Sequence, residues 1–172
     1  MATAKHAAAP SVMRAVRIAQ YGGSDQLRYE EAPLPQIGPG QVLAKVRYAG
    51  VNPIDWKIRE GYKKDVRQVS FPLTLGGDFA GEIVACSGDS GSFRTGERVF
   101  GFGEGTYAEF TAAAITDIAP IPEKMEFAVA ARGVRHAPLR GSARGLFPGF
   151  LRGLFRDLCR ASGTARPSFA AG

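Results

Sequence analysis

The segment from Gly50 to Gly61, GVNPIDWKIREG, carries polar side chains that could orient a small molecule. Asn52 offers hydrogen-bond donors and an acceptor on one side chain, and Pro53 stiffens the turn. Asp55 follows at a spacing that lets its carboxylate accept backbone N–H groups and fix the loop. None of these residues forms a nucleophile–base pair, so the segment favours binding and orientation over acyl or glycosyl transfer.

Two glycine-rich segments elsewhere were candidates for a phosphate-binding loop. Residues 101–106, GFGEGT, have glycine at alternate positions but lack the spacing of a dinucleotide fingerprint, and they precede a strand pattern and not a helix. Residues 88–92, GDSGS, fail the same comparison. We interpret both as turns between strands, and we expect no phosphate-binding loop in this chain.

The elements that must position the Asn52 segment are short strands, which extend over residues 13–121. MRAVRIAQYG and LRYEEAPLP bracket a turn, and DFAGEIVAC, ERVFGF and TYAEFTAAA are separated by polar or glycine-rich loops. In VLAKVRYA, residues 42–49, the side chains alternate in the pattern of a half-buried strand. Five or more short strands with Gly and Pro turns predict a mainly β domain, a small barrel or sandwich.

Charge and cysteine content restrict the classes of partner. The net charge is +6, but residues 132–172 alone hold eight Arg, one Asp and neither Lys nor Glu, so the body of the chain is close to neutral. We therefore expect neither a nucleic-acid nor a membrane partner for the body. Two cysteines are too few for a disulfide framework, which favours a reduced, cytoplasmic compartment.

The remaining segments differ from the body in composition. Residues 1–12 are small and featureless, and we expect them to be disordered. Residues 122–131 begin with Pro-Glu and continue into an Ala-rich run, which predicts the start of a linker helix. Residues 132–172 are rich in Arg, Gly and Ala, and the abrupt change is explained by a shifted reading frame or by a functional basic tail.

Residues 13–131 resemble the N-terminal, GroES-like domain of the medium-chain dehydrogenase/reductase superfamily, in its zinc-independent quinone oxidoreductase branch. The segments that carry the resemblance, in family order, include FPLTLGGDFAGEIVACSG, GERVFGF, GTYAEFTAAA and IPEKMEFAVAA. The resemblance implies a mainly β fold: a bent, partly open barrel with short helices. It also implies one side of a substrate cleft, whose other side is a separate NADP(H)-binding Rossmann domain, which we do not expect in these 172 residues.

The resemblance also assigns site residues. Zinc-dependent relatives carry a cysteine ligand where this chain has Asn52 and a Gly-His-Glu motif where it has Gly-Gly-Asp78, so we expect no zinc. Asn52 is then expected to face the nicotinamide and the substrate. The substrate or nicotinamide pocket is further expected to include Ile54, Lys57, Tyr62 and Asp78, while Pro53 and Asp55 structure the loop. Tyr62 and Lys57 could instead be ordinary packing and surface residues.

These observations lead to one hypothesis and one alternative. The hypothesis is a substrate-side domain of a zinc-independent, NADP(H)-dependent reductase of quinones or enones. It is truncated and inactive alone, and dimeric only in full-length relatives. A poorly soluble chain is expected, because an apolar face would lack its usual cover. The alternative is a non-catalytic binding module whose basic tail contacts membrane or nucleic acid.

Overall fold

The computed structural model describes residues 11–62, 64–65 and 68–134. Within these ranges the chain is mainly β, as predicted, with eight strands and two α-helices. The strands are β1 Val12–Ile18, β2 Arg28–Pro33, β3 Gln41–Gly50, β4 Leu73–Thr74, β5 Asp78–Cys86, β6 Arg98–Phe102, β7 Phe110–Ala114 and β8 Ile118–Pro120. The helices are α1 Pro53–Arg59 and α2 Phe127–Gly133. The predictions for residues 1–10 and for the tail beyond Val134 lie outside the described residues.

The strands form two antiparallel sheets that do not close into one barrel. The first has the order β2-β1-β4 and the second the order β7-β3-β5-β6-β8. A bridge between Ala15 and Ala108 and a hydrogen bond from the Glu109 N–H to the Arg14 carbonyl, 3.0 Å long, connect them. The described chain is thus the bent, partly open β structure expected from the sequence.

The main apolar core lies inside the five-stranded sheet. Phe79 and Ile83 from β5 pack there with Val42 from β3 and Val99 from β6, all fully buried. The alternation predicted for residues 42–49 is only partly observed, because Val42, Leu43 and Ala44 are all buried. Because neighbouring side chains of a strand point to opposite faces, both faces of the sheet are covered at the start of β3.

The pairing of β3 with β5 contains a bulge that determines what lies opposite the start of β5. Val46 is paired with Gly81 and Tyr48 with Ala80, so Arg47 is an extra residue in β3. Beyond the bulge, Gly50 lies opposite Asp78. The chain therefore leaves β3 beside Asp78, and two residues, Val51 and Asn52, separate the end of β3 from the start of α1.

Helix α1 occupies the segment that the sequence predicted as a turn. Asn52 is the N-cap, Pro53 stands at the first helical position, and Asp55 is the N3 residue of a capping box. Asn at the N-cap, Pro at the first helical position and Asp at N3 are known helix-start signals. The Asn-Pro-x-Asp pattern therefore indicates a helix. Asp55 accepts a hydrogen bond from the Asn52 backbone N–H at the start of this helix.

Helix α2 begins later than predicted. Residues 122–125 form a turn, closed by a 2.9 Å hydrogen bond from the Met125 N–H to the Pro122 carbonyl, and the helix starts at Phe127. Ala130, Ala131 and Val134 are buried against Ala80 and Phe100 of the sheet. Within the described ranges neither helix is long and apolar enough to cross a membrane.

Candidate functional site

A cleft of about 660 Å³ lies between α1, the segment that contains β4 and leads into β5, and the glycine-rich segment that follows β6. Its apolar wall includes Ile54 and Ile58 of α1, Leu73 of β4 and Phe102 of β6. The polar lining residues include Asn52, Asp55, Asp78, Glu104 and Asp117. The cleft thus combines apolar surface with a group of hydrogen-bonding side chains.

Asp55 organises the polar side of the cleft from a buried position. It is only 6% exposed. Its Oδ2 accepts a 2.7 Å hydrogen bond from the Asn52 backbone N–H and a 2.8 Å hydrogen bond from the Tyr107 hydroxyl. A buried carboxylate requires such donors, so Asp55 holds the start of α1 against the loop that carries Tyr107.

Asn52 connects Asp55 to a second buried carboxylate. Its side-chain Nδ2 donates a 2.8 Å hydrogen bond to Oδ2 of Asp78, which is 4% exposed. This bond orients the amide: the nitrogen lies toward Asp78. The sequence placed both residues in one pocket, and the structure brings them together although they are 26 positions apart.

Tyr107 is the member of this group that sequence reasoning missed. Burial, the hydrogen bond to Asp55 and the charges of Asp55 and Asp78 together raise the pKa of its hydroxyl well above the usual value of 10.0. The hydroxyl is therefore a fixed donor at neutral pH. The only signal in the sequence was a tyrosine after a glycine-rich turn, and nothing local indicated a partner 52 positions away.

Lys57 and Tyr62 lie apart from the lining of this cleft. Tyr62 packs edge-on against Trp56, with ring centroids 5.6 Å apart, and Lys57 Nζ stands 5.6 Å from the centre of the Trp56 ring. Tyr62 is 69% exposed. Of the residues predicted for the pocket, Asn52, Ile54 and Asp78 line the cleft, together with Asp55, whereas the pocket role of Lys57 and Tyr62 stays a prediction.

The family of the chain is decided by residues 38–123, which match the alcohol dehydrogenase GroES-like domain. The chain belongs to this family. It lies within the medium-chain dehydrogenase/reductase superfamily, as the sequence resemblance indicated. The matched residues run from the turn before β3 to the turn before α2, and they include every polar residue of the cleft named above.

Relatives of this GroES-like domain are quinone oxidoreductases. The chain is 39% identical over 121 residues to the mouse quinone oxidoreductase and 38% identical to the human one, in each case over 67% of this chain. The solved quinone oxidoreductase of Coxiella burnetii is 32% identical with a TM-score of 0.63, over 70% of this chain and 40% of that one. The chain spans little more than a third of the mouse enzyme, 35%.

A mycobacterial relative, 31% identical with a TM-score of 0.64 over 69% of this chain and 37% of that one, was solved with NADPH. The described residues of the present GroES-like domain fit such a cofactor only in part. Asn52 and the apolar wall suit a nicotinamide ring or a flat acceptor. The sheets are antiparallel throughout, and no strand–Gly-rich loop–helix unit to hold the phosphates occurs in the described part of the chain.

A bound metal ion would need several ligand side chains grouped in one place. In the ranges that the structure describes, no three His, Cys, Asp or Glu side chains are grouped so that they could hold a metal ion. The amide of Asn52 stands beside Asp78 at the position where the sequence comparison placed zinc ligands in other branches. The absence of zinc stays a prediction, and it follows from the poor affinity of an amide for this metal.

Proposed function

We propose that this chain supplies the substrate side of an NADP(H)-dependent oxidoreductase of the quinone oxidoreductase type, with residues 13–121 as the substrate-side domain. The observation that carries the proposal is the Asn52–Asp78 pair beside an apolar wall in the cleft. The 39% identity to the mouse quinone oxidoreductase supports it. The nicotinamide cofactor supplies a hydride when it is bound.

The residues of the chain contribute binding and orientation. Ile54, Ile58 and Phe102 offer apolar surface to the flat ring of an acceptor and exclude water from one face of it. Asn52, held by Asp78 and by the Asp55 contact, presents an amide of fixed orientation. A rigid hydrogen-bonding group next to a carbonyl oxygen positions the acceptor without the cost of reorganisation during the reaction.

We do not assign cofactor binding to the described residues. They contain no unit for the dinucleotide phosphates, and the chain covers 35% of the mouse relative. We therefore expect the 172-residue chain to bind an acceptor in the cleft and to oxidise NADPH with it very slowly or not at all. A binding measurement tests the substrate-side assignment, and a turnover measurement tests the expected inactivity.

The test uses the full chain with 1,4-naphthoquinone as the probe. Amide and side-chain NMR shifts are followed during titration, and NADPH absorbance is followed with the same quinone. We expect shift changes at Asn52, Ile58 and Phe102, and a much weaker response in the Asn52→Ala variant. Tyr29→Phe is the control, because Tyr29 lies on β2, is 67% exposed and does not line the cleft. Shift changes confined to residues outside the cleft contradict the substrate-side assignment, and rapid NADPH oxidation contradicts the expected inactivity.

A further inference from the structure

We propose that the cleft selects acceptors by charge, taking neutral or cationic molecules and rejecting anionic ones, with Glu104 and Asp117 as the specificity-determining residues at its edge. The inference rests on the proposed function, since it names the class of acceptor that the same cleft would bind. It begins from the lining of the cleft, which is strongly unbalanced in charge.

Of the lining residues in the part of the chain that the structure describes, four are carboxylic acids and none is basic. Asp55 and Asp78 are more than nine-tenths buried, and their carboxylates accept hydrogen bonds from Asn52 and, for Asp55, also from Tyr107. Glu104 and Asp117 complete the set, and within residues 11–62, 64–65 and 68–134 no Lys, Arg or His lines the cleft. The local charge is therefore negative, although the chain as a whole carries +6.

Basic side chains on the neighbouring elements are held elsewhere. On α1, Arg59 contacts Glu60 at 2.7 Å and the Gly22 carbonyl at 3.2 Å, and Lys57 stands over Trp56. On β1, beside β4, Arg17 forms an ion pair of 3.4 Å with Glu30 and donates to the Pro72 carbonyl. These three positive charges thus have partners outside the cleft.

Hydrogen bonds anchor the main chain of Glu104, and the Asp117 carboxylate accepts one from a neighbouring hydroxyl. The Glu104 N–H donates to the Ala112 carbonyl at 3.0 Å, and the Glu104 carbonyl accepts from the Thr111 hydroxyl at 2.9 Å. Asp117 follows Thr116, whose hydroxyl donates to its Oδ1 at 3.4 Å. Neither carboxylate forms an ion pair with any residue that the structure describes, so neither charge is neutralised by a described partner.

Repulsion between these carboxylates and an anionic acceptor is strong at contact distance, because the protein walls and the bound ring exclude water. Dissolved salt weakens it, more for the exposed edge than for the buried side. A cationic substituent experiences the opposite effect. We therefore expect cationic acceptors to bind most tightly, neutral ones less tightly and anionic ones least tightly. The differences in affinity should become smaller as salt is added.

The experiment compares three naphthoquinones of similar shape: the parent, a sulfonate and a trimethylammonium derivative. Affinities for the full chain are measured by NMR titration at low and at high salt. We expect the sulfonate to bind at least about tenfold more weakly than the parent at low salt, with a smaller gap at high salt. If sulfonate and parent bind equally, the inference is wrong while the proposed function stands; if none of the three binds in the cleft, both fail.

A pair of variants separates local charge from overall charge. Glu104→Gln with Asp117→Asn removes two charges at the cleft edge, and Glu123→Gln with Glu126→Gln removes two outside it. The edge variant should bind the sulfonate several-fold more tightly and the parent almost unchanged, while the control should leave both affinities within about twofold. Equal gains in both variants would show a non-local effect of net charge and would overturn the assignment to Glu104 and Asp117.

Discussion

At the scale of single residues, the cleft depends on a chain of hydrogen bonds from Tyr107 through Asp55 and Asn52 to Asp78. Its three links are 2.7 to 2.8 Å long and connect the loop before β7, the start of α1 and the start of β5. Two of the residues are carboxylic acids that are more than nine-tenths buried. Removing one donor leaves a buried acceptor unsatisfied, which costs more than an ordinary hydrogen bond contributes.

Tyr107→Phe tests the first link. We expect the variant to lose about 1–3 kcal/mol of unfolding free energy at neutral pH, because Asp55 loses the hydroxyl donor while the ring keeps its packing. Urea unfolding, followed by Trp56 fluorescence, measures the loss. Tyr62→Phe removes the hydroxyl of a tyrosine that is 69% exposed, and it should change the unfolding free energy by less than about 0.5 kcal/mol.

The difference in unfolding free energy between wild type and Tyr107→Phe should also depend on pH, with a defined sign. The pKa of Tyr107 is raised in the folded state, above its usual value of 10.0. Its contribution is therefore fully present below that value and is lost as the pH rises toward the folded-state pKa, since only the unfolded chain releases the proton easily. The stability difference between wild type and Tyr107→Phe should shrink above pH 10.0. A constant difference across this range would contradict the hydrogen-bonded, protonated hydroxyl.

At the scale of elements, the site depends on how closely β3 approaches β5. A side chain at Gly81 would overlap the Lys45 carbonyl oxygen and come within 3.3 Å of the Val46 Cα. This close approach lies at the bulge, where Arg47 has no residue opposite it in β5. The bulge also sets Gly50 opposite Asp78. The bulge is thus the element that brings the start of α1 to Asp78.

Gly81→Ala should push the two strands apart. We expect a loss of about 1–3 kcal/mol of unfolding free energy, as in other overpacked cores, together with NMR shift changes at Asn52 and Asp78. Gly77→Ala is the matched control, because a Cβ there meets no atom within 4 Å. If both variants unfold at the same urea concentration, the close contact between β3 and β5 at Gly81 is not needed to maintain the bulge.

The strand elements could be predicted from the sequence, but their contacts could not. DFAGEIVAC became β5 over Asp78–Cys86 because apolar residues and flanking glycines are local signals. The Asn52–Asp78 pairing was anticipated only as a shared pocket, through family resemblance. The Asp55–Tyr107 bond and the bulge at Arg47 depend on contacts between distant segments, which leave no periodic mark in a single chain.

At the scale of the whole molecule, three apolar clusters hold the two sheets and α2 together. One lies inside the five-stranded sheet and one joins Met13 and Ala15 to Ala32. The third lies under α2, where Ala130 and Ala131 cover part of the sheet. Helix α2 is therefore part of the folded unit in the described chain, and it covers apolar surface that would otherwise contribute to the predicted poor solubility.

Two neighbouring residues of α2 allow this role to be measured. Ala130 is 1% exposed and packs on the sheet, whereas Val129 is 40% exposed. Ala130→Asp places a charge under the helix, so we expect a loss of about 2–4 kcal/mol of unfolding free energy and stronger binding of a hydrophobic dye as α2 detaches. Val129→Asp adds the same charge on the solvent side and should cost about 1 kcal/mol or less. Equal losses in the two variants would mean that α2 does not pack on the sheet in solution, and that the apolar face beneath it is open to solvent.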